Sequence, residues 1–218
     1  MVIFDCNGVL VDSEPLATAI VSQEFMRAGF PLTPDIVARY FTGRRPADMF
    51  AEVEAAAGRK LPPDFATTVA AATLRRFRAE LRATQHAAYA LSWLRGPKCV
   101  ASSSSIDRIR VSLESTDLLR FFEPNLFSAS EVRNGKPAPD LLLHAAGRMR
   151  VRPAACIVVE DSAVGVAAGI AAGMTVIGFV GGSHATGQLG NYLRAAGASA
   201  VISDLRALKS TIIDLRGW

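Results

Sequence analysis

Residues 2–14 read Val-Ile-Phe-Asp-Cys-Asn-Gly-Val-Leu-Val-Asp-Ser-Glu, which places an acidic residue directly after a short apolar run. A run of Val, Ile and Phe this short predicts a buried strand that ends at Asp5. An aspartate at a strand end can attack phosphorus and form an aspartyl-phosphate, and Gly8 allows a sharp backbone turn beside it. A strand followed by an Asx turn explains the same residues, so this segment alone leaves both interpretations open.

Other short apolar segments also end at or near polar residues. They are residues 98–102, 125–128, 156–161, 175–179 and 200–203, and helical patterns lie between them at residues 106–115, 139–149 and 164–172. This alternation predicts an α/β fold with a Rossmann-like, doubly wound parallel sheet. The carboxyl ends of parallel strands meet at one edge of such a sheet. The polar residues expected to converge there are Asp5, Ser102, Ser128, Glu160 and Asp161.

The segment from residue 15 to residue 82 breaks this alternation, because it contains no convincing strand. Four helical patterns fill it, at residues 15–28, 34–41, 46–57 and 62–82. Each carries a proline at or near its start, where the missing N–H of proline costs no hydrogen bond. We therefore expect an all-helical domain at residues 14–83, inserted into a core that residues 1–13 and 84–218 form.

Two of the polar segments carry groups suited to holding an oxyanion. Ser102 and Ser103 lie between a strand end and a helix start, where hydroxyl and backbone N–H groups can bind phosphate oxygens. Plain N-capping of the helix explains these serines as well. Lys136 lies in the sequence Asn-Gly-Lys-Pro-Ala-Pro-Asp, whose prolines stiffen the loop. A stiff loop favours a fixed positive charge over a solvated lysine.

The pair Glu160-Asp161 predicts a cation site. Adjacent acids at the end of a buried strand repel each other unless a cation lies near them. A hard divalent ion with oxygen ligands suits both acids, and in the presence of phosphate that ion is Mg²⁺. The alternative is that one acid caps the next helix while the other points to solvent.

In this order and spacing, the four segments resemble the haloacid dehalogenase superfamily across essentially the whole chain. Residues 135–140, Gly-Lys-Pro-Ala-Pro-Asp, and residues 159–162, Val-Glu-Asp-Ser, resemble its β-phosphoglucomutase-like branch in particular. Most superfamily members are phosphatases, and the helical insert is similar to the cap domain of that branch. The resemblance therefore implies a phosphoric monoester hydrolase.

The resemblance also implies a role for each site residue. Asp5 would be the nucleophile and a Mg²⁺ ligand, and Ser102 would hold the phosphoryl group. Lys136 would stabilise the negative charge on Asp5 and on the phosphoryl oxygens. Asp161 would be a further Mg²⁺ ligand, with Glu160 beside it in the metal shell.

Asn7 departs from the pattern of the family, which usually has a second Asp at this position. That Asp protonates the leaving group and then activates water, and its backbone carbonyl also binds Mg²⁺. An Asn side chain transfers no proton in this pH range, and general acid–base catalysis contributes roughly 10²–10⁴-fold. Asn7 is therefore expected to slow turnover and to leave binding intact. Two histories fit, an engineered Asp→Asn change and a naturally impaired chain; since the other site residues are in place, we favour the engineered change.

Several alternative activities remain open on the sequence. A β-phosphoglucomutase-like mutase has a His shortly after the first motif, and residues 14–18 contain none, which favours hydrolysis. A non-catalytic phospho-ligand binding protein is favoured by Asn7 alone. Dehalogenases work without Mg²⁺ and phosphonate hydrolases use a cap lysine. The acid pair argues against the first, and the cap candidate Lys60 lies in a surface turn, which argues against the second.

Substrate choice is expected from the cap domain, which excludes water when it closes. Arg44 and Arg45 lie on a loop between two predicted cap helices, where they could contact sugar hydroxyls or a carboxylate. Glu14 follows the hinge and is a third candidate. A phosphorylated sugar, polyol or sugar acid is the expected class of substrate.

The net charge of the chain is +4, and its Arg residues are spread out without interleaved aromatic residues. This pattern gives no support to nucleic-acid binding and suits mild attraction of small anionic metabolites. The apolar runs are too short to cross a bilayer, so no membrane partner is expected. Three scattered cysteines predict a reduced, cytoplasmic protein. We expect a monomer, as is common among capped members of the branch.

Overall fold

The computed structural model describes residues 1–41 and 46–217. Two compact units divide the chain, and each is described by itself. The sheet unit comprises Met1–Asp12 and Arg82–Trp218, and the helical unit comprises Ser13–Leu81. Arg44 and Arg45, the two predicted cap-loop residues, lie outside the described residues.

The sheet unit is built on a six-stranded, fully parallel sheet. Its strands are β1 (Val2–Phe4), β2 (Lys98–Ser102), β3 (Leu126–Ser128), β4 (Ile157–Glu160), β5 (Thr175–Phe179) and β6 (Ala200–Ile202). They lie in the order β3-β2-β1-β4-β5-β6. The first three strands extend the sheet in one direction from β1 and the last three extend it in the other, so the topological switch point lies between the neighbouring strands β1 and β4. Ligands of doubly wound sheets bind at such a switch point. The predicted Rossmann-like α/β fold is confirmed.

Among the described residues, the four helices of the helical unit lie where the sequence predicts them, whereas the sheet unit contains more helices than predicted. The helices are α1 (Glu14–Arg27), α2 (Pro34–Phe41), α3 (Pro46–Ala57), α4 (Phe65–Glu80), α5 (Ala87–Trp93), α6 (Ile106–Ser115), α7 (Asp140–Arg148), α8 (Ala163–Ala171), α9 (Leu189–Ala195) and α10 (Leu208–Arg216). Helix α4 ends earlier than predicted because Leu81 is extended, with ψ 139°. None of the helices within the described ranges is long and apolar enough to span a membrane.

The apolar core of the sheet unit lies between the sheet and helices α7 and α8. Strand residues such as Ile3 and Val158 pack there with Leu141 of α7 and Val166 of α8. On the strand β1, Phe4 meets Phe122 edge-on, with ring centroids 5.7 Å apart. Most strand residues are buried, as expected of a parallel sheet covered on both faces, so the polar residues at the strand ends are the groups available for chemistry.

The helical unit has its own apolar core, with Phe25 of α1 at its centre. The ring of Phe25 lies 4.8 Å from that of Phe65 and 5.9 Å from that of Phe50, between centroids. The other buried members of this core are Phe30, Met49, Val53, Leu61 and Val69. Burial of this aromatic cluster stabilises α1, α3 and α4, because helices of this length are marginal by themselves and depend on packing.

Candidate active site

Three carboxylates meet where β1 and β4 end. The two strands are neighbours, and the backbone N–H of Asp5 donates to the Val159 carbonyl at 3.0 Å. Glu160 is the last residue of β4 and Asp161 follows it. One oxygen from each of Asp5, Glu160 and Asp161 can be chosen so that all three lie within 4.8 Å of one another. The carboxyl edge of the sheet therefore brings the three predicted acids together.

Lys136 lies among these acids. Its Nζ donates to Asp5 Oδ1 and to Glu160 Oε1, at 2.6 Å in both cases, and to the Ala101 carbonyl at 3.3 Å. The side chain of Lys136 is only 5% exposed. The lysine is therefore a fixed charge at the ends of β1, β2 and β4 rather than a solvated loop residue.

Glu160 is held by partners on both of its oxygens. Oε1 accepts from Lys136, and Oε2 accepts from the backbone N–H and the hydroxyl of Ser162, at 2.8 and 2.9 Å. The Ser162 hydroxyl also accepts from the Gly165 N–H at 3.0 Å and so caps α8. Glu160 thus positions Lys136. Because both of its carboxylate oxygens already accept hydrogen bonds, it would contact a cation only through an oxygen that also accepts from Lys136 or Ser162.

The electrostatics of the cluster favour a bound cation. Burial, with the Glu160 charge adding to it and Lys136 opposing it, raises the pKa of Asp5 to about 6. Burial also raises the pKa of Asp161 to about 8, and the nearby acids add to this while His184 opposes it. Burial would raise the pKa of Glu160 too, but Lys136 and Ser162 outweigh it and hold this pKa below its ordinary value.

The same balance applies to the lysine and decides whether a metal fits. Burial would lower the pKa of Lys136, but Asp5 and Glu160 outweigh it and raise the pKa above its ordinary value. The single positive charge of Lys136 therefore does not balance the negative charges of both Asp5 and Glu160. The hydrogen bonds of Lys136 Nζ go to these two acids and to the Ala101 carbonyl rather than to Asp161. Buried carboxylate oxygens in this arrangement are the ligands that Mg²⁺ prefers, so the residues present fit the ion.

Ser102 lies at the end of β2 and is buried, and its hydroxyl accepts from the Ser104 N–H at 3.3 Å. Ser103, the second predicted phosphate-binding residue, is exposed. The N-cap of α6 is Ser105, whose hydroxyl accepts from the Arg108 N–H at 3.4 Å. Since another serine caps the helix, N-capping does not account for Ser102 or Ser103.

Asn7 and Gly8 form the turn after β1. The Asn7 Nδ2 donates to the Ser104 hydroxyl at 2.9 Å, while its buried Oδ1 has no hydrogen-bond partner in the part of the chain that the structure describes. Gly8 has φ 74°, and a Cβ at this position would lie 1.9 Å from Asp161 Oδ2. Glycine is therefore required at residue 8 both by the backbone and by the acid that packs against it.

His184 follows the fifth predicted strand at the functional edge of the sheet, among glycines, and the sequence favours a surface histidine there. The structure corrects this: His184 Nε2 lies 3.0 Å from Asp161 Oδ2, and the side chain is 18% exposed. The available signal is its place in Gly-Gly-Ser-His, two residues beyond a glycine pair that follows β5.

The remaining predicted residues belong to the helical unit. Glu14 begins α1, and its Oε1 accepts from the Ser13 hydroxyl at 3.5 Å. Lys60 pairs with Glu54 at 2.7 Å and is 85% exposed. This is the surface position expected for Lys60, and it gives no support to a Schiff-base lysine.

Comparison with known proteins agrees with this geometry. The model of the haloacid dehalogenase-like hydrolase family matches residues 1–173 of this chain. The chain is 35% identical to the 6-phosphogluconate phosphatase of Escherichia coli (strain K12) over 184 residues, which cover 84% of this chain and 83% of that protein. It is 29% identical to the phosphorylated carbohydrates phosphatase of Thermotoga maritima, covering 92% and 93% of the two chains.

Solved structures give the same answer. A haloacid dehalogenase-like protein of unknown function from Agrobacterium tumefaciens superimposes with a TM-score of 0.85 and 34% identity, over 99% of this chain and 98% of that one. Fold and sequence therefore agree. The chain belongs to the haloacid dehalogenase-like hydrolases.

Proposed function

We propose that this hydrolase is a Mg²⁺-dependent phosphatase that acts on a small phosphorylated sugar, polyol or sugar acid. The observation that carries the proposal is the position of Lys136 between Asp5 and Glu160, at 2.6 Å from each. A nucleophilic carboxylate, a fixed positive charge and a group of cation ligands at one strand edge suit phosphoryl transfer, which depends on positioning and charge stabilisation.

Asp5 is the proposed nucleophile. One of its carboxylate oxygens attacks phosphorus, the bond from phosphorus to the ester oxygen breaks, and an aspartyl-phosphate forms. Lys136 holds Asp5 in place and stabilises the negative charge of the transferred group, and Glu160 in turn holds Lys136. Ser102 and Ser103, with the backbone N–H groups ahead of α6, bind the phosphoryl oxygens.

Asp5 and Asp161 are the proposed Mg²⁺ ligands, together with the backbone carbonyl of Asn7, and Glu160 lies beside them. When bound, the ion neutralises charge on the phosphoryl oxygens. Without it, Asp161 remains a buried acid whose pKa is raised to about 8. A divalent cation is therefore the partner that keeps Asp161 ionised at neutral pH.

Asn7 is the proposed cause of slow turnover. The departing alkoxide needs a proton, and the water that cleaves the aspartyl-phosphate must lose one. The Asn7 amide does neither, and it donates instead to the Ser104 hydroxyl. Removing general acid–base catalysis costs roughly 10²–10⁴-fold, so this chain binds its substrate and turns it over slowly.

The substrate class rests on the relatives and on the helical unit. Two of the relatives are named as phosphatases of 6-phosphogluconate and of phosphorylated carbohydrates. We assign the helical unit, Ser13–Leu81, the role of a cap, and Glu14, Arg44 and Arg45 the choice of substrate. Arginines suit the carboxylate of a sugar acid, because the guanidinium binds it with two parallel hydrogen bonds.

The test is phosphate release from a panel of sugar, polyol and sugar-acid phosphates with Mg²⁺, comparing the chain with Asn7→Asp. We expect Asn7→Asp to raise the rate by about 10²–10⁴-fold on at least one substrate. Asn191→Asp makes the same chemical change on the exposed surface of α9 and should leave the rate unchanged. If Asn7→Asp stays inert on every substrate, the hydrolytic assignment fails.

A non-catalytic phospho-ligand binding protein is the second candidate. It is favoured by Asn7, whose buried Oδ1 has no hydrogen-bond partner among residues 1–41 and 46–217 and is therefore available to a ligand donor. The same panel separates the two functions. Binding of a phosphorylated sugar by both forms, with no release of phosphate by either, would establish the binding protein in place of the phosphatase.

A further inference from the structure

The loop after β5 is held at two points, once by Asp12 and once by Asp161 of the acidic cluster. Ser183 donates from its backbone N–H and from its hydroxyl to Asp12 Oδ1, at 3.1 and 2.8 Å. One residue later, His184 Nε2 lies 3.0 Å from Asp161 Oδ2. The first contact fixes the loop backbone close to the turn after β1. The second contact brings an imidazole to one oxygen of a proposed metal ligand.

Two glycines make room for this imidazole. A Cβ on Gly182 would lie 2.7 Å from His184 Cε1, and a Cβ on Gly8 would lie 2.9 Å from the same atom. Real Cβ atoms do not approach other heavy atoms this closely, so neither position accepts a side chain while His184 keeps its place. The backbone on both sides thus forms a slot for the ring.

We propose that His184 is a positioning residue that donates its Nε2–H to Asp161 Oδ2 and thereby leaves the other oxygen of Asp161 for the cation. The inference rests on the metal site of the proposed function. Carboxylates that bind metals are oriented by hydrogen bonds from outside the ligand set, and loss of such a bond costs about 10–100-fold in affinity.

His184 acts through Asp161 rather than as a ligand itself. In the described chain, the group whose ligand atoms lie within 4.8 Å of one another consists of Asp5, Glu160 and Asp161, and His184 stands outside it. The comparable support for Glu160 comes from Ser162, which donates to Oε2. Each acid that follows or ends β4 thus has a donor of its own, and His184 supplies the one for Asp161.

The test is Mn²⁺ affinity, measured by the loss of the free-ion EPR signal in the full chain without substrate. We expect His184→Ala to raise the Mn²⁺ dissociation constant about 10–100-fold. His184→Gln places an amide N–H near the position of Nε2 and should restore most of the affinity. His144→Ala removes another histidine–carboxylate pair, to Glu131 at 3.4 Å, and should leave the affinity unchanged.

The outcomes separate this inference from the function on which it rests. If the unaltered chain binds no Mn²⁺, the metal site fails and the role of His184 fails with it. If the chain binds Mn²⁺ and His184→Ala binds it equally well, or if Gln fails as badly as Ala, only the positioning role is overturned. A nitrogen coupling to bound Mn²⁺ that His184→Gln abolishes would make His184 a ligand and overturn it too.

A second variant keeps the proposal testable if His184→Ala does not fold. Gly182→Ala retains the imidazole, but its methyl group would lie 2.7 Å from Cε1 and must displace the ring. We expect its Mn²⁺ dissociation constant to rise by a factor comparable to that of His184→Ala. An affinity equal to that of the unaltered chain would overturn the role of His184.

Discussion

The sheet unit and the helical unit both bury polar side chains, but they bond them in different ways. In the helical unit, the Thr73 hydroxyl donates to the Val69 carbonyl one turn earlier in the same helix, at 2.8 Å. In the sheet unit, Lys136 bonds Asp5 across 131 residues and Glu160 across 24. The first kind of bond needs only a helical turn, whereas the second exists only when the whole sheet is assembled.

This difference assigns different tasks to the two interiors. The core of the helical unit is a cluster of apolar side chains around Phe25, whose contribution is burial. The sheet unit has an apolar core as well, and in addition it gathers charges at one strand edge. Burying charges is costly, so such a cluster persists where the charges compensate one another and serve chemistry.

The strongest test of the comparison is Lys136→Met. Removing the lysine leaves Asp5 and Glu160 buried without a compensating charge, and breaking a buried pair in this way costs about 3–5 kcal/mol. The proposed phosphate release should be lost as well. Urea unfolding at pH 8 measures the free energy of unfolding, and phosphate release is measured in the Asn7→Asp background.

Lys60→Met is the matched control for this prediction. Lys60 pairs with Glu54 at 2.7 Å, almost the same distance, but on the surface of the helical unit. Solvent screening makes exposed pairs of this kind contribute little. If Lys60→Met destabilised the protein as much as Lys136→Met, burial would not be what distinguishes the two lysines.

Phe25→Ala probes the apolar interior of the helical unit. Phe25 is fully buried, and large-to-small changes at such positions cost about 3–5 kcal/mol because they remove apolar contacts and leave a cavity. Thermal unfolding followed by circular dichroism measures the loss. Mn²⁺ affinity of the folded protein should not change, since the proposed ligands belong to the sheet unit. A weakened Mn²⁺ site would show that the two interiors are not independent.

Two glycine-to-alanine changes in helices of the sheet unit, Gly165→Ala and Gly147→Ala, separate the effect of helix propensity from the effect of side-chain packing. A Cβ on Gly165 would lie 1.8 Å from Glu160 Oε1, so overpacking should destabilise the protein by about 1–3 kcal/mol despite the better helix propensity of alanine. A Cβ on Gly147, in α7, would meet no other described part of the chain within 4 Å beyond its neighbours and the adjacent backbone of its own helix. Gly147→Ala should therefore stabilise the protein by up to about 1 kcal/mol. Chemical denaturation of both variants checks the opposite signs.

The strands were predictable because each is a short apolar run, and all except β5 end at or directly before a polar residue. The predicted strands at residues 98–102 and 175–179 match β2 and β5, and each of the others differs by one residue at one or both ends. Helices α5, α9 and α10 were missed in the sheet unit. Two of them are only seven residues long, and helices this short form through packing rather than through their own propensity.

The site was predictable as far as topology alone determines it. Parallel strands deliver Asp5, Glu160 and Asp161 to one edge, so their convergence followed from the strand assignment. The bond from Lys136 to Glu160 did not follow, because it depends on where a loop side chain points. The interpretation of His184 as a surface histidine was wrong for the same reason, because its contact with Asp161 requires the loop after β5 to fold back toward β4.

Buried acids also predict how the stability of the sheet unit depends on pH in the absence of metal. Burial raises the pKa of Asp5 to about 6 and that of Asp161 to about 8, both from 3.8. Between about pH 4 and pH 8 the folded state therefore binds more protons than the unfolded state, and stability falls as pH rises. Lys136 and His184 face these acids and oppose the shifts. Glu160, whose pKa is lowered from 4.5, contributes in the opposite sense only below that value.

Urea unfolding in the presence of a chelator, at pH 5 and at pH 8, measures this dependence. We expect a lower free energy of unfolding at pH 8 and a flatter profile in Asp161→Asn, which removes the acid with the largest shift. Mg²⁺ binds the ionised carboxylates, so its addition should stabilise the protein more at pH 8 than at pH 5. If the free energy of unfolding without metal stays constant or rises between these pH values, Lys136 and His184 already balance the negative charges of the acidic cluster. The sheet unit would then bury its charges at as little cost as the helical unit buries the Thr73 hydroxyl.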